Sequence, residues 1–169
     1  MIFVTVGSVM PFNRLIETMD RWAAARPEVK VFAQIGGGDE PHHMRWARSV
    51  TPAEFADLVA KSTIIVAHAG MGSIISAAEA GKTIVILPRF ASLKEHTTDH
   101  QVHTAKRFMD RPGIHVAMSD NELPEAIDAA MSSVGAAHQL LPRTAPDAFV
   151  ARIRAVLLSG ASARQSNQS

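Results

Sequence analysis

Short apolar segments alternate along the chain with longer segments in which apolar residues recur at helical spacing. The continuous apolar segments are typical of buried β-strands, and they cover residues 2–6, 29–35, 63–67, 83–87 and 114–117. Residues 46–50 are a sixth strand candidate. Because strands covered on both faces are apolar throughout, the pattern predicts an α/β fold: a Rossmann-like parallel sheet with helices on both faces.

The segments between these strands carry the spacing of amphipathic helices. They predict helices over residues 12–25, 52–61, 73–80, 95–109, 120–131 and 148–158. Capping chemistry predicts two of the helix starts, at Thr51 before Pro52 and at Asp120. The last helix has two interpretations, since it can cover the domain's own core or dock on a partner protein.

Length and composition limit the class of protein. The chain has 169 residues, which fits one domain, and we expect residues 1–158 to form it and residues 159–169 to be a disordered tail. The net charge of +1 gives no case for nucleic acid as a partner, and the absence of cysteine excludes disulfides. No signal-peptide pattern or membrane-length apolar stretch occurs, so we expect a cytoplasmic protein.

Glycine-rich turns follow the predicted strands at the edge where ligands bind in such sheets. The run His68-Ala69-Gly70-Met71-Gly72-Ser73 lies between a strand and a helix. Glycines allow close approach of the backbone, and a helix N-terminus offers free N–H groups to a phosphate or diphosphate. Gly7-Ser8 and residues 36–38 occupy equivalent places. The first run taken alone is equally consistent with a tight turn, and runs such as the other two are more often simple turns. Three at one edge favour a cleft.

A polar segment over residues 95–103 holds three histidines, His96, His100 and His103. On one helix face they could bind a metal, or they could simply lie in a solvated helix start. The interpretation we favour is a first helical turn that points carboxylate, amide and imidazole groups at sugar hydroxyls. We therefore predict no metal site and no cofactor.

These motifs together resemble the glycosyltransferase family 28 C-terminal domain. The resemblance covers about residues 1–130 and is closest to the PssE-type subunits of bacterial exopolysaccharide synthesis. Its motifs occur in order along the chain, and they are Ile2-Phe3-Val4-Thr5-Val6-Gly7-Ser8, Val31-Phe32-Ala33-Gln34-Ile35-Gly36, the glycine-rich run that begins at His68, Leu87-Pro88-Arg89, Glu95-His96 and Asp99-His100-Gln101.

The resemblance implies the donor-binding, C-terminal half of a GT-B glycosyltransferase, which takes a UDP-sugar. The chain begins directly at this half and has no room for the other, so we expect a separate, membrane-attached, PssD-like subunit to supply the acceptor site. That partner would recruit the protein to the inner face of the membrane. The implied reaction transfers a hexose-type sugar to a lipid-linked saccharide acceptor in polysaccharide biosynthesis.

The resemblance also implies roles for individual residues. Gly7 and Ser8 would lie near the donor phosphates, and the diphosphate and nucleoside would be lined by His68, Gly70, Gly72 and Ser73. The transferred sugar would be faced by Asp99, His100 and Gln101. Many relatives carry an acid for the ribose where this chain has Ser76, and Glu79 follows one turn later.

The general base that deprotonates the acceptor hydroxyl is left unassigned, because in relatives it tends to come from the other half of the enzyme. Glu95 and His96 are the only local candidates. Two competing functions stay open: a non-catalytic nucleotide-sugar-binding or regulatory subunit, and a metal-dependent enzyme built on the three histidines.

Overall fold

The computed structural model describes residues 1–135 together with 148, 151, 152 and 154. Its strands are β1 Ile2–Thr5, β2 Val31–Gln34, β3 Arg45–Ala47, β4 Ile64–His68, β5 Thr83–Leu87 and β6 Ile114–Val116. Its helices are α1 Asn13–Ala24, α2 Pro52–Lys61, α3 Met71–Glu79, α4 His100–Phe108 and α5 Leu123–Ser132, with a 3₁₀ turn at Ala91–Leu93.

The six strands form one parallel sheet in the order β3-β2-β1-β4-β5-β6, which confirms the predicted fold class. β1 lies at the centre, and its last residue, Thr5, is opposite Gln34 of β2 and Ala67 of β4. From β1 the strand order extends in one direction through β2 to β3, and in the other direction through β4 and β5 to β6. In such sheets a ligand-binding crevice forms where the strand order reverses, outside the carboxyl ends of the strands.

Two apolar clusters cover the two faces of the sheet. Alternate residues of β1 divide between them: Ile2 and Val4 pack with α1 and α5, whereas Phe3 packs with residues of α2, α3 and α4. Because side chains of a strand point alternately to opposite faces, burial on both sides requires a continuous apolar run. This packing accounts for the pattern in the sequence.

Helix α2 follows its local signals closely. The Thr51 hydroxyl accepts from the Glu54 N–H, the Glu54 carboxylate accepts from the Thr51 N–H, and Pro52 is in the first turn. This reciprocal capping box satisfies two N–H groups that the helix cannot use. The predicted cap at Thr51 and the end at Lys61 are confirmed.

The predicted start of α4 at residue 95 is wrong, because the helix begins at His100. Lys94 has a left-handed backbone conformation (φ 58°), and the Glu95 N–H donates to the Phe90 carbonyl. The Asp99 carboxylate accepts from the Ala91 N–H at 2.8 Å. These bonds close residues 90–99 into a loop that competes with the first helical turns.

The predicted cap of α5 at Asp120 is also wrong, because the helix begins at Leu123 with Glu122 before it. The Glu122 carboxylate instead accepts from the Met118 N–H and the Ser119 hydroxyl. This side chain therefore closes a turn between β6 and the helix and delays the helix start.

The predicted C-terminal helix falls mostly outside the described residues. Its described positions, 148, 151, 152 and 154, are helical and exposed. The rest of residues 148–158 and the predicted tail 159–169 lie outside, so the domain boundary stays a prediction. Among the described helices none combines the length and apolar character needed to cross a membrane.

Candidate functional site

A cleft of about 680 Å³ opens along the carboxyl ends of the central strands. It is bounded by the loops after β1, β2, β3, β4 and β5. The predicted site residues that line it are Gly7, Ser8, His68, Gly70, Gly72, Ser73, His96, His100 and Gln101. The structure thus brings together residues that are up to 94 positions apart in the chain, from 7 to 101.

A buried polar network anchors the loop between β1 and α1 to the sheet. The Thr5 hydroxyl donates to the Gln34 Oε1 at 2.8 Å and accepts from the Gly7 N–H at 3.2 Å. Gln34 Nε2 donates to the Gly7 carbonyl at 3.1 Å. Gly7 has a φ of +79°, which residues other than glycine rarely adopt. The network leaves Ser8 exposed at the rim of the cleft.

The N-terminus of α3 lacks a side-chain cap. Gly70 is its N-cap residue, no acidic residue lies in the first turn, and the first intrahelical bond joins the Ile74 N–H to the Gly70 carbonyl. The N–H groups of Met71, Gly72 and Ser73 therefore have no acceptor within the helix. Together with the helix dipole, they suit a bound anion.

The His68 imidazole lies between the two glycine loops. A Cβ atom at Gly7 would approach its Cε1 to 2.7 Å, and one at Gly70 would approach its Cδ2 to 2.8 Å. His68 Nδ1 is buried and makes no hydrogen bond within the part of the chain that the structure describes. Burial and the nearby charge of Arg89 lower the pKa of His68 to about 4, so the ring is neutral at physiological pH.

This low pKa predicts a stability that decreases in acid. Because the unfolded chain binds a proton near pH 6.5 and the folded chain only near pH 4, the unfolded state holds more protons between these values. Between pH 7 and pH 5, His68 should lower the free energy of unfolding by about 2 kcal/mol. Urea unfolding of the wild type and His68→Asn at both pH values measures this difference. Equal pH dependence in the two proteins would contradict it.

Two arginines that sequence reasoning did not assign to the site also line the cleft. Arg48 donates to the carbonyls of Gly36 and Gly38, and pairs with Glu40. Arg89 is 2% exposed and donates to backbone carbonyls of the β1–α1 loop. Their position just after β3 and β5 was the available signal. Arg48 is exposed, whereas the burial of Arg89 depends on tertiary contacts.

Comparison with known proteins gives the family. The profile of the glycosyltransferase family 28 C-terminal domain matches residues 1–148. The chain belongs to this family. No curated protein matches it.

Solved glycosyltransferases share the fold of this family 28 domain. The glycosyltransferase of kitacinnamycin superposes with a TM-score of 0.63 at 19% identity, over 82% of this chain and 37% of that one. MurG of Acinetobacter baumannii superposes with a TM-score of 0.54 at 21% identity, over 76% of this chain and 40% of that one. The C-terminal CMP-Kdo binding domain of WaaA from the same organism superposes with a TM-score of 0.52 at 11% identity, over 82% of this chain and 84% of that one. The chain spans well under half of the first two proteins, which are GT-B enzymes.

Four of the predicted site residues do not line the cleft of the family 28 domain. They are Ser76, Glu79, Glu95 and Asp99. Ser76 is half-buried and Glu79 exposed on α3, beyond its first turn. Asp99 caps the Ala91 N–H. The ribose and sugar roles of these residues gain no support from the geometry.

The Glu95 carboxylate makes structural hydrogen bonds within the domain. It accepts from Arg14 Nε and Nη2, both at 2.8 Å, and from the Phe90 N–H at 3.0 Å. Both side chains of the ion pair are largely buried. Three charge-assisted bonds on one carboxylate tie it to the protein's own donors, and it does not line the cleft.

We expect Glu95→Gln to lower the free energy of unfolding by about 2 kcal/mol, because charged hydrogen bonds in a buried site are lost. Asp57→Asn is the matched control: Asp57 pairs with Lys61 in solvent, and its loss should cost less than about 0.5 kcal/mol. Thermal or urea unfolding of both variants checks this. A stable Glu95→Gln protein with reduced activity would instead support a catalytic role.

The histidines of the polar segment do not share one helix face. His96 precedes α4. Its ring packs edge-on against that of His100, with the two ring centres 4.4 Å apart. Its Nδ1 accepts from the Thr97 N–H at 2.9 Å, so the neutral ring carries its proton on Nε2. Burial, with His100 and Arg89 nearby, lowers the pKa of His96. In residues 1–135 no group of three or more His, Asp or Glu side chains is arranged to hold a metal.

Proposed function

We propose that this family 28 domain binds the UDP-sugar donor of a split glycosyltransferase, which transfers a hexose-type sugar to a lipid-linked acceptor. The observation that carries the proposal is the uncapped N-terminus of α3, which opens on the same cleft as the Gly7-Ser8 loop. The N–H groups at the start of α3 and those of residues 8–10 form two donor groups at one cleft, which would match the two phosphates of a nucleoside diphosphate.

The charge of the cleft supports an anionic ligand. Arg48 and Arg89 line it, and no Asp or Glu of the described residues does. Val50 and Phe55 give it an apolar end, which suits the nucleobase of the donor. A diphosphate at the α3 end and a base at this end fit within about 680 Å³.

The proposed reaction breaks the bond between the sugar C1 and the diphosphate oxygen, while the acceptor hydroxyl oxygen forms a new bond to C1. The electron pair leaves with UDP, where the N–H groups of the α3 N-terminus stabilise the developing charge. The acceptor proton passes to a general base. His96 is a poor candidate for that base, since its Nδ1 is occupied and its Nε2 carries the proton. We assign the base to the acceptor-binding half.

Exposed apolar side chains near the mouth of the cleft support a partner. Val9, Met71, Ile75 and Leu93 belong to the β1–α1 loop, the start of α3 and the β5–α4 segment, all at the carboxyl edge. We propose that a membrane-attached, PssD-like subunit with an apolar contact surface covers this edge and brings the complex to the inner face of the membrane.

Ile75→Arg tests this surface. Ile75 is 42% exposed on α3 and does not line the cleft, so UDP affinity should be unchanged while partner affinity falls at least about tenfold. Met109→Arg is the matched control, because Met109 is 48% exposed at the far end of α4. Co-purification and a binding titration with the partner measure both. Equal partner binding by the two variants would reject this surface.

The experiment that tests the donor assignment is calorimetric titration of the purified chain with UDP, against ADP, GDP and CMP. CMP is included because the WaaA domain of the same fold binds CMP-Kdo. Selective UDP binding, alone or with the co-expressed partner, is the expected result. Preference for another nucleotide under both conditions would reject the UDP donor.

A second candidate is a non-catalytic nucleotide-sugar-binding subunit. It is favoured by one observation, the lack of any cleft-lining carboxylate among the described residues. Reconstitution with the partner separates the two functions. Sugar transfer that requires this chain and is lost in a donor-site variant supports the enzyme, and transfer by the partner alone supports the binding subunit.

A further inference from the structure

Arg89 is a buried cation whose guanidinium donates only to backbone carbonyls. It lies two positions after the end of β5 and is 2% exposed. Its Nη1 donates to the carbonyls of Pro11 at 2.6 Å and Glu95 at 3.2 Å, and its Nη2 donates to those of Val6 at 2.8 Å and Met10 at 2.7 Å. Its guanidinium carbon lies 4.5 Å from the centre of the Phe12 ring.

Most of these contacts fall on one loop. The carbonyls of Val6, Met10 and Pro11 all belong to the segment between β1 and α1, which also carries Gly7 and Ser8. The Gly7 N–H donates to Thr5, so the N–H groups left for the cleft are those of residues 8–10, which have no acceptor among the described residues. The Arg89 N–H in turn donates to Gln101 Oε1 at 3.2 Å. Arg89 therefore joins the β1–α1 loop to the first turn of α4.

The charge of Arg89 has no direct counter-ion. Among the ion pairs of residues 1–135 none includes Arg89, and the Glu95 carboxylate is paired with Arg14 instead. Burial of an unpaired charge is costly, and carbonyl acceptors offset only part of that cost. Such a charge in a cleft is a sign of a functional role.

We propose that Arg89 is a positioning residue for the donor diphosphate: it holds the β1–α1 loop in its binding conformation and supplies positive charge at the floor of the cleft. This inference rests on the proposed function, since it names the residue that orders one of the two N–H donor loops. An anion that enters the cleft would complete the charge balance that the protein leaves open.

The test compares Arg89→Gln and Arg89→Lys with wild type for three ligands: UDP, inorganic pyrophosphate and uridine. Arg89→Gln removes the charge and most of the loop contacts, so UDP and pyrophosphate affinity should fall about thirtyfold. Arg89→Lys keeps the charge but cannot bond all four carbonyls, so the loss should be roughly fivefold. Uridine carries no phosphate, and its affinity should stay within about twofold.

Arg26→Gln is the matched control. Arg26 also lies over an aromatic ring, that of Trp22 at 4.6 Å, and pairs with Asp128 away from the cleft. We expect its affinity for all three ligands to equal that of wild type. A second readout needs no ligand: the pKa of His68, followed by NMR, should rise above about 4 in Arg89→Gln and stay low in Arg89→Lys, because only the first variant removes the neighbouring charge.

Each outcome separates this inference from the proposed function. If the wild-type protein binds pyrophosphate but does not prefer UDP over other nucleotides, the UDP donor is rejected and the role of Arg89 is not. Arg89→Gln that binds UDP like wild type, or that weakens uridine as much as UDP, overturns the role of Arg89 alone. If Arg89→Gln does not fold, Arg89→Lys decides by the same ratio of pyrophosphate to uridine affinity.

Discussion

Gly70→Ala will lower the free energy of unfolding by about 3 kcal/mol, near the upper end of the usual cost of overpacking. The added methyl would lie 2.8 Å from His68 Cδ2 and closer still to Nε2. The ring cannot yield toward the β1–α1 loop, because Gly7 already bounds it on Cε1. The backbone of Gly70 has a φ of −91°, which alanine tolerates, so the cost comes from the collision alone.

Gly72→Ala is the matched control for this prediction, since a Cβ atom there meets nothing within 4 Å. Gly72 lies in the first turn of α3, where alanine is favoured over glycine by up to about 1 kcal/mol. Its stability should be equal to that of wild type or higher. His68→Ala combined with Gly70→Ala completes a double-mutant cycle. Additive costs in that cycle would show that the ring is not the cause.

Local signals predicted the elements that local bonds determine. The start of α2 was predicted from Thr51 and Pro52, and the capping box that the structure adds through Glu54 involves only residues within one turn. The loop before α4 could not be read in this way. Glu95 is drawn out of the expected helix by Arg14, 81 positions earlier in the chain, and no local pattern carries that information.

The site shows the same division. The glycine loops Gly7-Ser8 and Gly70 to Ser73 were predicted to lie at a cleft because each follows a predicted strand, and both line the cleft. The role of Arg89 could not be predicted in this way, because a single arginine after a strand is ordinarily exposed. Its burial arises from carbonyl groups brought by a loop 78 to 83 positions earlier. Sequence reasoning therefore found the backbone donors and missed the charge beside them.

The same Gly72→Ala variant separates folding from donor binding. Gly72 lines the cleft, its N–H is one of the free donors at the α3 N-terminus, and the space beside it is open. A methyl group in that space would hold a diphosphate away from the N–H groups. We expect UDP affinity to fall about a hundredfold, as the loss of two charge-assisted hydrogen bonds would produce.

Gly37→Ala provides the control for binding, because Gly37 is also open to a Cβ atom but lies outside the cleft lining. Calorimetric titration with UDP should give wild-type affinity for Gly37→Ala and the loss for Gly72→Ala, while both proteins melt at or above the wild-type temperature. A Gly72→Ala protein that binds UDP normally would move the diphosphate away from α3. The charge of Arg48 and Arg89 would then have to hold the donor without the helix.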